Sequence, residues 1–220
     1  MDLSNCNIIT SKDRLNDNIS CNLIVIDNFY ENPYEVREFA LKQIFNEGGK
    51  YHPGYRTQNF ATIEHKYMFE SILSPFIEKI TTFYLTNDRT MSNGAFQYNT
   101  SYNKSWIHRD NYNTSNDGGA NNIWSAIIYL TPDAPVSSGT GFFQFMDGTM
   151  RYDDLKITNS ESDIIKYEQD ITKWKLVNNV GNIFNRLILF PSSQYHMSMD
   201  YFGTDKYDSR LIQIFFFDVI

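Results

Sequence analysis

The chain has 220 residues, of which 41% are hydrophobic and 20% charged, so it can build one domain with a substantial core and is too apolar to be disordered throughout. Its 19 Lys and Arg against 26 Asp and Glu leave a net charge of −7, which argues against a general nucleic-acid binder, since that affinity comes from clustered positive charge. Two cysteines, Cys6 and Cys21, cannot make a disulfide framework, and neither a long apolar run nor a signal-peptide pattern is present, which together point to a cytoplasmic protein without a membrane partner.

Residues 1–22 are polar and Asn-rich and read as a loose lead-in. NLIVIDNF (22–29) reads as a strand, and Asn32-Pro33 supplies a cap and a first-turn proline for a helix carrying Val36, Phe39, Ala40 and Ile44, stopped at Gly48-Gly49. A second helical stripe runs through Phe69, Ile72, Leu73, Phe76, Ile77, Ile80 and Tyr84, and Pro75 either kinks it or starts a new helix. After Asn93-Gly94 the pattern changes to short runs bounded by turn residues: AFQYN, SWIHRD, NIWSAIIYLT, GTGFFQFM, TKWKLV, NRLILFP, QYHMSM and SRLIQIFFFDV. Aromatic residues make up 16% of the chain, and such runs favour β structure in a sandwich or jelly roll over a parallel sheet. The polar piece 151–170 reads as a surface insertion, and the polar loop 111–122 as a lid. The expectation is an α+β, β-rich single domain over 1–220: lead-in 1–22, a strand with supporting helices over 23–92, and a jelly-roll core over 93–220.

There are four histidines, His52, His65, His108 and His196. In SWIHRD, side-chain alternation along a strand puts His108 and Asp110 on one side, where an imidazole and a carboxylate make two ligands of a 2-His-1-carboxylate site. On its own the pair is as well explained by a surface salt bridge. His196, in LILFPSSQYHMSM, is the candidate third ligand. Arg210 opens the apolar strand RLIQIFFFD, where an unpaired guanidinium would be costly, so it must reach solvent, pair with an acid such as Asp208 or Asp200, or meet an anionic ligand. His52 and His65 read as packing or surface residues. HPGYRTQNF is a loop that brings Tyr55 and Arg56 within reach of a substrate. Nothing matches a phosphate loop, a G-x-S-x-G elbow or an H-E-x-x-H zinc helix.

The order His108-x-Asp110, then a remote His196, then Arg210 on the last strand resembles the Fe(II)/2-oxoglutarate-dependent oxygenases, in particular their prolyl-hydroxylase-like branch, over roughly residues 94–218. Tyr98, ten residues before His108, Tyr129-Leu130 at the end of an apolar strand, and the small-residue turn Ser138-Gly139-Thr140-Gly141 before Phe142-Phe143 extend the resemblance. The spacing from His196 to Arg210 is longer than is usual in that branch, with YFGTDKYD inserted. The resemblance implies a double-stranded β-helix, a jelly-roll or cupin-like barrel buttressed by N-terminal helices. It implies Fe(II) held by His108, Asp110 and His196, and 2-oxoglutarate gripped by Arg210 with Tyr98 and Tyr129. The reaction implied is hydroxylation of an amino acid, peptide or small metabolite by O2, yielding succinate and CO2, with Ile107, Phe143 and Ile212 screening the site. Two other readings of such a barrel are a cupin-type metal protein without oxoglutarate and a non-catalytic jelly-roll binding module.

Overall fold

Runs of β-branched and aromatic residues become the strands, and the polar turn clusters separate them. The computed structural model describes residues 6–12, 19–48, 52–86, 92–110, 122–145 and 170–220. The loop expected at 111–122 and the insertion expected near 151–170 fall, but for their last residues, outside that set. In chain order the elements are β1 (Cys6–Lys12), β2 (Ile19–Ile26), α1 (Pro33–Leu41), β3 (Asn46–Glu47), β4 (Tyr55–Arg56), α2 (Ile63–Leu73), β5 (Ile80–Thr82), β6 (Ala95–Asn99), β7 (Asn122–Tyr129), β8 (Thr140–Phe145), β9 (Trp174–Val180), β10 (Leu187–Pro191), β11 (His196–Ser198) and β12 (Arg210–Val219). Every strand pairing among the described residues is antiparallel. The large sheet runs β1-β2-β10-β7-β12-β6-β4-β3, with β5 on the end of β12, and a second sheet runs β11-β8-β9.

Two expectations for the first half are corrected. Where it is described, the lead-in is strand: Ile8, Ile9 and Thr10 are strand formers, and β1 pairs with β2 in the register Cys6↔Ile26 through Lys12↔Ile19, with one irregularity. The second helix does not continue through Pro75. It ends at Leu73, and Ile80, which fits the helical stripe, instead pairs with Val219 as part of β5.

Strand β12 sorts the interior into two faces. Leu211, Phe215, Phe217 and Val219 lie in one apolar cluster with Ala40 of α1 and Phe69, Ile72 and Leu73 of α2. Phe69 packs its ring at 5.0 Å from Phe215 and 5.3 Å from Phe217. Ile212 and Ile214, one residue out of phase, join Tyr129, Phe142, Ile188 and Phe190 in a second cluster between the two sheets. Arg210 has the same parity as Ile212, so its guanidinium enters that inter-sheet space. Among the described residues no helix is long and apolar enough to cross a membrane.

Candidate metal centre and anion pocket

The segment holding His108 and Asp110 is not the regular strand that its sequence suggests. It is tied to the two sheets at single points. His108 N–H donates to the His196 carbonyl at 3.0 Å, and His196 N–H returns to the His108 carbonyl at 2.8 Å. Asp110 N–H then donates to the Ser192 carbonyl at 3.0 Å. His196 itself opens β11 and pairs with Phe142 of β8. These ties bring residues 108, 110 and 196 together although 86 positions separate the second from the third. His108 Nε2 lies 3.6 Å from Asp110 Oδ1, and His196 Nε2 lies 3.3 Å from Asp110 Oδ2. One ligand atom from each of the three falls within 4.8 Å of the others.

The surroundings prepare these groups as donors. His108 Nδ1 lies 2.9 Å from the Trp106 carbonyl, and His196 Nδ1 lies 2.9 Å from the Gln194 carbonyl. A carbonyl only accepts, so Nδ1 carries a proton in each ring, and Nε2 is the atom each ring turns toward the carboxylate, a proton donor there or, once deprotonated, a metal ligand. Ser125 donates to Asp110 Oδ2 at 2.9 Å and is 2.6 Å from the Ser192 hydroxyl, fixing the carboxylate from behind. Burial favours the neutral acid at Asp110, but the charge and hydrogen bond of His196, then His108 and Ser125, hold its carboxyl below the usual range. Burial lowers the His108 pKa, with His196 adding to that effect against the pull of Asp110. Burial acts the same way on His196, yet Asp110 outweighs it and raises that imidazole.

Arg210 is fully buried at 0% exposure. Its Nε donates to the Ser138 carbonyl at 2.9 Å, while Nη1 and Nη2 have no hydrogen-bond partner among the described residues. Neither Asp208 nor Asp200 pairs with it: Asp208 accepts instead from the backbone N–H groups of Thr204 and Asp205. The guanidinium carbon sits 5.4 Å from the centre of the Tyr129 ring, and the Tyr129 hydroxyl is 2.7 Å from that of Thr140. Thr140 lines the cleft that also holds His108, Asp110 and His196, so the Arg210–Tyr129–Thr140 contacts reach one wall of that cleft. Burial pushes the Tyr129 phenol up against the partial opposition of Arg210, keeping its proton in place. A buried cation with two free donor nitrogens fits a carboxylate, and a His-Asp-His donor set fits ferrous iron.

Tyr98 goes elsewhere. On β6 it stands between Gln97 and Asn99 and takes the opposite face, packing with the helix-side cluster, its ring stacked on Tyr55 at 4.8 Å. The cleft receives Gln97 instead, together with Ser125, Arg56 and His52. Ile212 lines the cleft, whereas Ile107 and Phe143 belong to a separate cluster with Trp174 and Tyr195. Ser125 within IWSAII and Gln97 within AFQY are polar residues set inside apolar runs. That is the signal Arg210 gives, and it points to both of them equally well.

Residues 12–199 match the model of a family of unknown function, DUF6445. The chain belongs to that family. No curated protein matches this DUF6445 sequence. Among solved structures, the DUF6445 fold is similar to a prolyl hydroxylase from Trichoplax adhaerens in complex with a hypoxia inducible factor oxygen degradation domain peptide fragment (TM-score 0.56, 15% identity, covering 90% of this chain and 83% of that one). It is also similar to HygX from Streptomyces hygroscopicus with nickel, 2-oxoglutarate and hygromycin B bound (TM-score 0.58, 11% identity, covering 90% and 82%). At such identities the likeness is one of fold: the DUF6445 chain has the fold of the prolyl-hydroxylase-like 2-oxoglutarate oxygenases.

Proposed function

We propose that the protein is an Fe(II)- and 2-oxoglutarate-dependent oxygenase that hydroxylates an unactivated C–H bond of an amino acid, peptide or small metabolite, releasing succinate and CO2. In this reading the whole chain is one domain, a double-stranded β-helix with its N-terminal helices in support. The observation that carries the proposal is the placement of His108, Asp110 and His196 within 4.8 Å of one another in a cleft lined by Thr140, whose hydroxyl meets that of Tyr129, against which packs a buried Arg210 guanidinium with two nitrogens unpartnered among the described residues.

His108 and His196 would bind the metal through Nε2 and Asp110 through a carboxylate oxygen, leaving positions for oxoglutarate and dioxygen. When bound there, ferrous iron supplies the activation of oxygen that is coupled to oxidative decarboxylation of the cosubstrate. The chain does the rest. Nη1 and Nη2 of Arg210 grip the far carboxylate of oxoglutarate, with the Tyr129 and Thr140 hydroxyls beside it. The Trp106 and Gln194 carbonyls keep both imidazoles in the ligating tautomer, and Ser125 steadies Asp110. Ile127, Ile212, Ile214 and Phe216 give the cleft an apolar wall that limits water.

Anaerobic addition of Fe(II) and 2-oxoglutarate tests the reading. A weak visible charge-transfer band is expected in the wild type, absent in His108→Ala and weakened in Arg210→Ala. A flat wild-type spectrum overturns it, and metal binding without any response to oxoglutarate turns the assignment to a cupin-type metal protein.

A further inference from the structure

We propose that Arg56 determines substrate specificity at this site, and that the primary substrate carries a single carboxylate which Arg56 binds while its reacting C–H faces His108, Asp110 and His196. The inference rests on the oxygenase reading above and adds the substrate class to it.

Arg56 lies on β4, paired with Gln97 of β6, and its side chain lines the same cleft as the metal-ligand cluster. Among the described residues lining that cleft it is the only Lys or Arg, and Asp110 is the only carboxylate. All its hydrogen-bond partners are neutral: Nε and Nη2 donate to Gln97 Oε1 at 2.8 and 2.5 Å, and Nη1 donates to the Ser92 hydroxyl at 3.0 Å. Gln97 is held in turn by Asn99 Oδ1 at 3.0 Å, and Asn99 donates to the Pro53 carbonyl at 2.8 Å. Among the described residues the guanidinium is therefore fixed in place without an ion pair, and two of its N–H donors remain after these contacts. A group immobilised in advance loses little further freedom when a ligand arrives.

Charge decides what that ligand is. A divalent metal and Arg210 bring three positive charges, and Asp110 with the two carboxylates of oxoglutarate brings three negative ones. Arg56 is left over. Its partly buried charge survives at neutral pH: burial lowers its pKa to about 10, and the Asp110 charge acts against that. Burial and Arg56 together depress His52, also in the cleft, to about 4, so it adds no second cation. One uncompensated guanidinium calls for one negative charge and a planar acceptor pair, which a carboxylate supplies. A phosphate dianion would overcompensate it.

Calorimetric titration of protein loaded with Zn(II) and saturating 2-oxoglutarate tests this without turnover. Saturation keeps Arg210 occupied. The probes are acetate, butyrate, benzoate, the free α-amino acids and a dipeptide, each beside its primary carboxamide. At least one carboxylate is expected to bind saturably, with its amide roughly tenfold weaker or more. Arg56→Gln is expected to abolish that preference and Arg56→Lys to restore part of it. Equal binding of acids and amides, no binding by any carboxylate, or a preference intact in Arg56→Gln overturns the proposal. If Arg56→Gln does not fold, the acid–amide comparison in the wild type decides alone. A wild type that gives the Fe(II)–oxoglutarate band yet fails here refutes only the substrate class, whereas a wild type without the band refutes the oxygenase reading and this inference with it.

Discussion

His108 and His196 are hydrogen-bonded as a symmetric pair: each exchanges backbone N–H and C=O with the other, and each places its Nδ1 at 2.9 Å from the carbonyl two residues before it. Tautomer and ring orientation are thus set by the main chain, which a side-chain substitution nearby does not alter. What remains adjustable is the carboxylate between them, and its position depends on hydroxyls.

Ser125→Ala tests that dependence. Ser125 is 1% exposed and donates to Asp110 Oδ2, so its loss frees the carboxylate to rotate without opening the fold to solvent. Metal affinity is expected to fall by roughly 10- to 100-fold, the usual effect of removing an outer hydrogen-bond partner of a ligand. Competition titration with Zn(II) measures it, and an unchanged affinity would mean that the histidines alone orient Asp110.

Arg210 separates stability from binding. Its Nη1 and Nη2 are buried and, among the described residues, unpartnered, a cost borne by the ligand-free fold. Arg210→Met gives up one hydrogen bond to the Ser138 carbonyl and removes the charge. The melting temperature without ligands is expected to stay the same or rise, because replacing a poorly compensated buried charge with an apolar group is often neutral or stabilising. Oxoglutarate affinity is expected to collapse in the same protein. A large drop in melting temperature would show that the charge serves the fold.

The strands of the second half are legible because turn residues bound each apolar run, and the spacing of His108 and Asp110 is short enough to read directly. Arg210 is legible because a lone cation in RLIQIFFFD has few places to go. Tyr98 misleads for a reason of parity: its distance from His108 fits the family pattern, but β6 pairs with β12 so that Gln97 and Asn99 share the face of Ile212 and Arg210. Distance along the chain carries no information about which face a strand presents when the intervening segment is irregular, as residues 100–107 are. Arg56 is legible only as a residue of a loop near a substrate, not as a strand residue. Its strand is two residues long, and only pairing with β6, far along the chain, turns its side chain into the cleft. β1 is masked by its polar flanks, and β5 by Ile80 falling in step with the preceding helix.

His65 confers an acid limit on stability. Its Nδ1 accepts from the Thr62 N–H at 3.1 Å, and its Nε2 is 3.3 Å from the Tyr30 hydroxyl, which donates to Gln213 Oε1 at 2.6 Å. Only the neutral ring fits these partners, and burial lowers its pKa to about 4, with Glu64 opposing. The folded pKa lies below the unfolded value near 6.5, so the contribution is complete above about pH 6.5 and is lost as pH falls toward 4. Melting temperatures across that window are expected to decline less steeply in His65→Gln than in the wild type. Parallel curves would exclude His65 as a source of the limit.

Gly54 links the backbone to the proposed substrate contact. Its φ is +79°, and a Cβ there would lie 2.3 Å from the Tyr98 carbonyl oxygen and 2.5 Å from Asn99 Nδ2. Alanine must therefore push β4 away from β6, and β4 carries Arg56. A stability loss on the order of 1–3 kcal/mol is expected from the strained backbone alone, read by chemical denaturation. In the same variant the preference for carboxylates over amides should weaken, while Arg210 and the His108, Asp110 and His196 cluster, on other segments, keep their positions. Gly181→Ala is the control: its Cβ would meet the Val136 Cγ1 methyl at 2.7 Å, a side chain that can yield, so a smaller loss and an unaltered preference are expected. Equal effects from the two substitutions would mean that the close approach at Gly54 does not hold Arg56 in place.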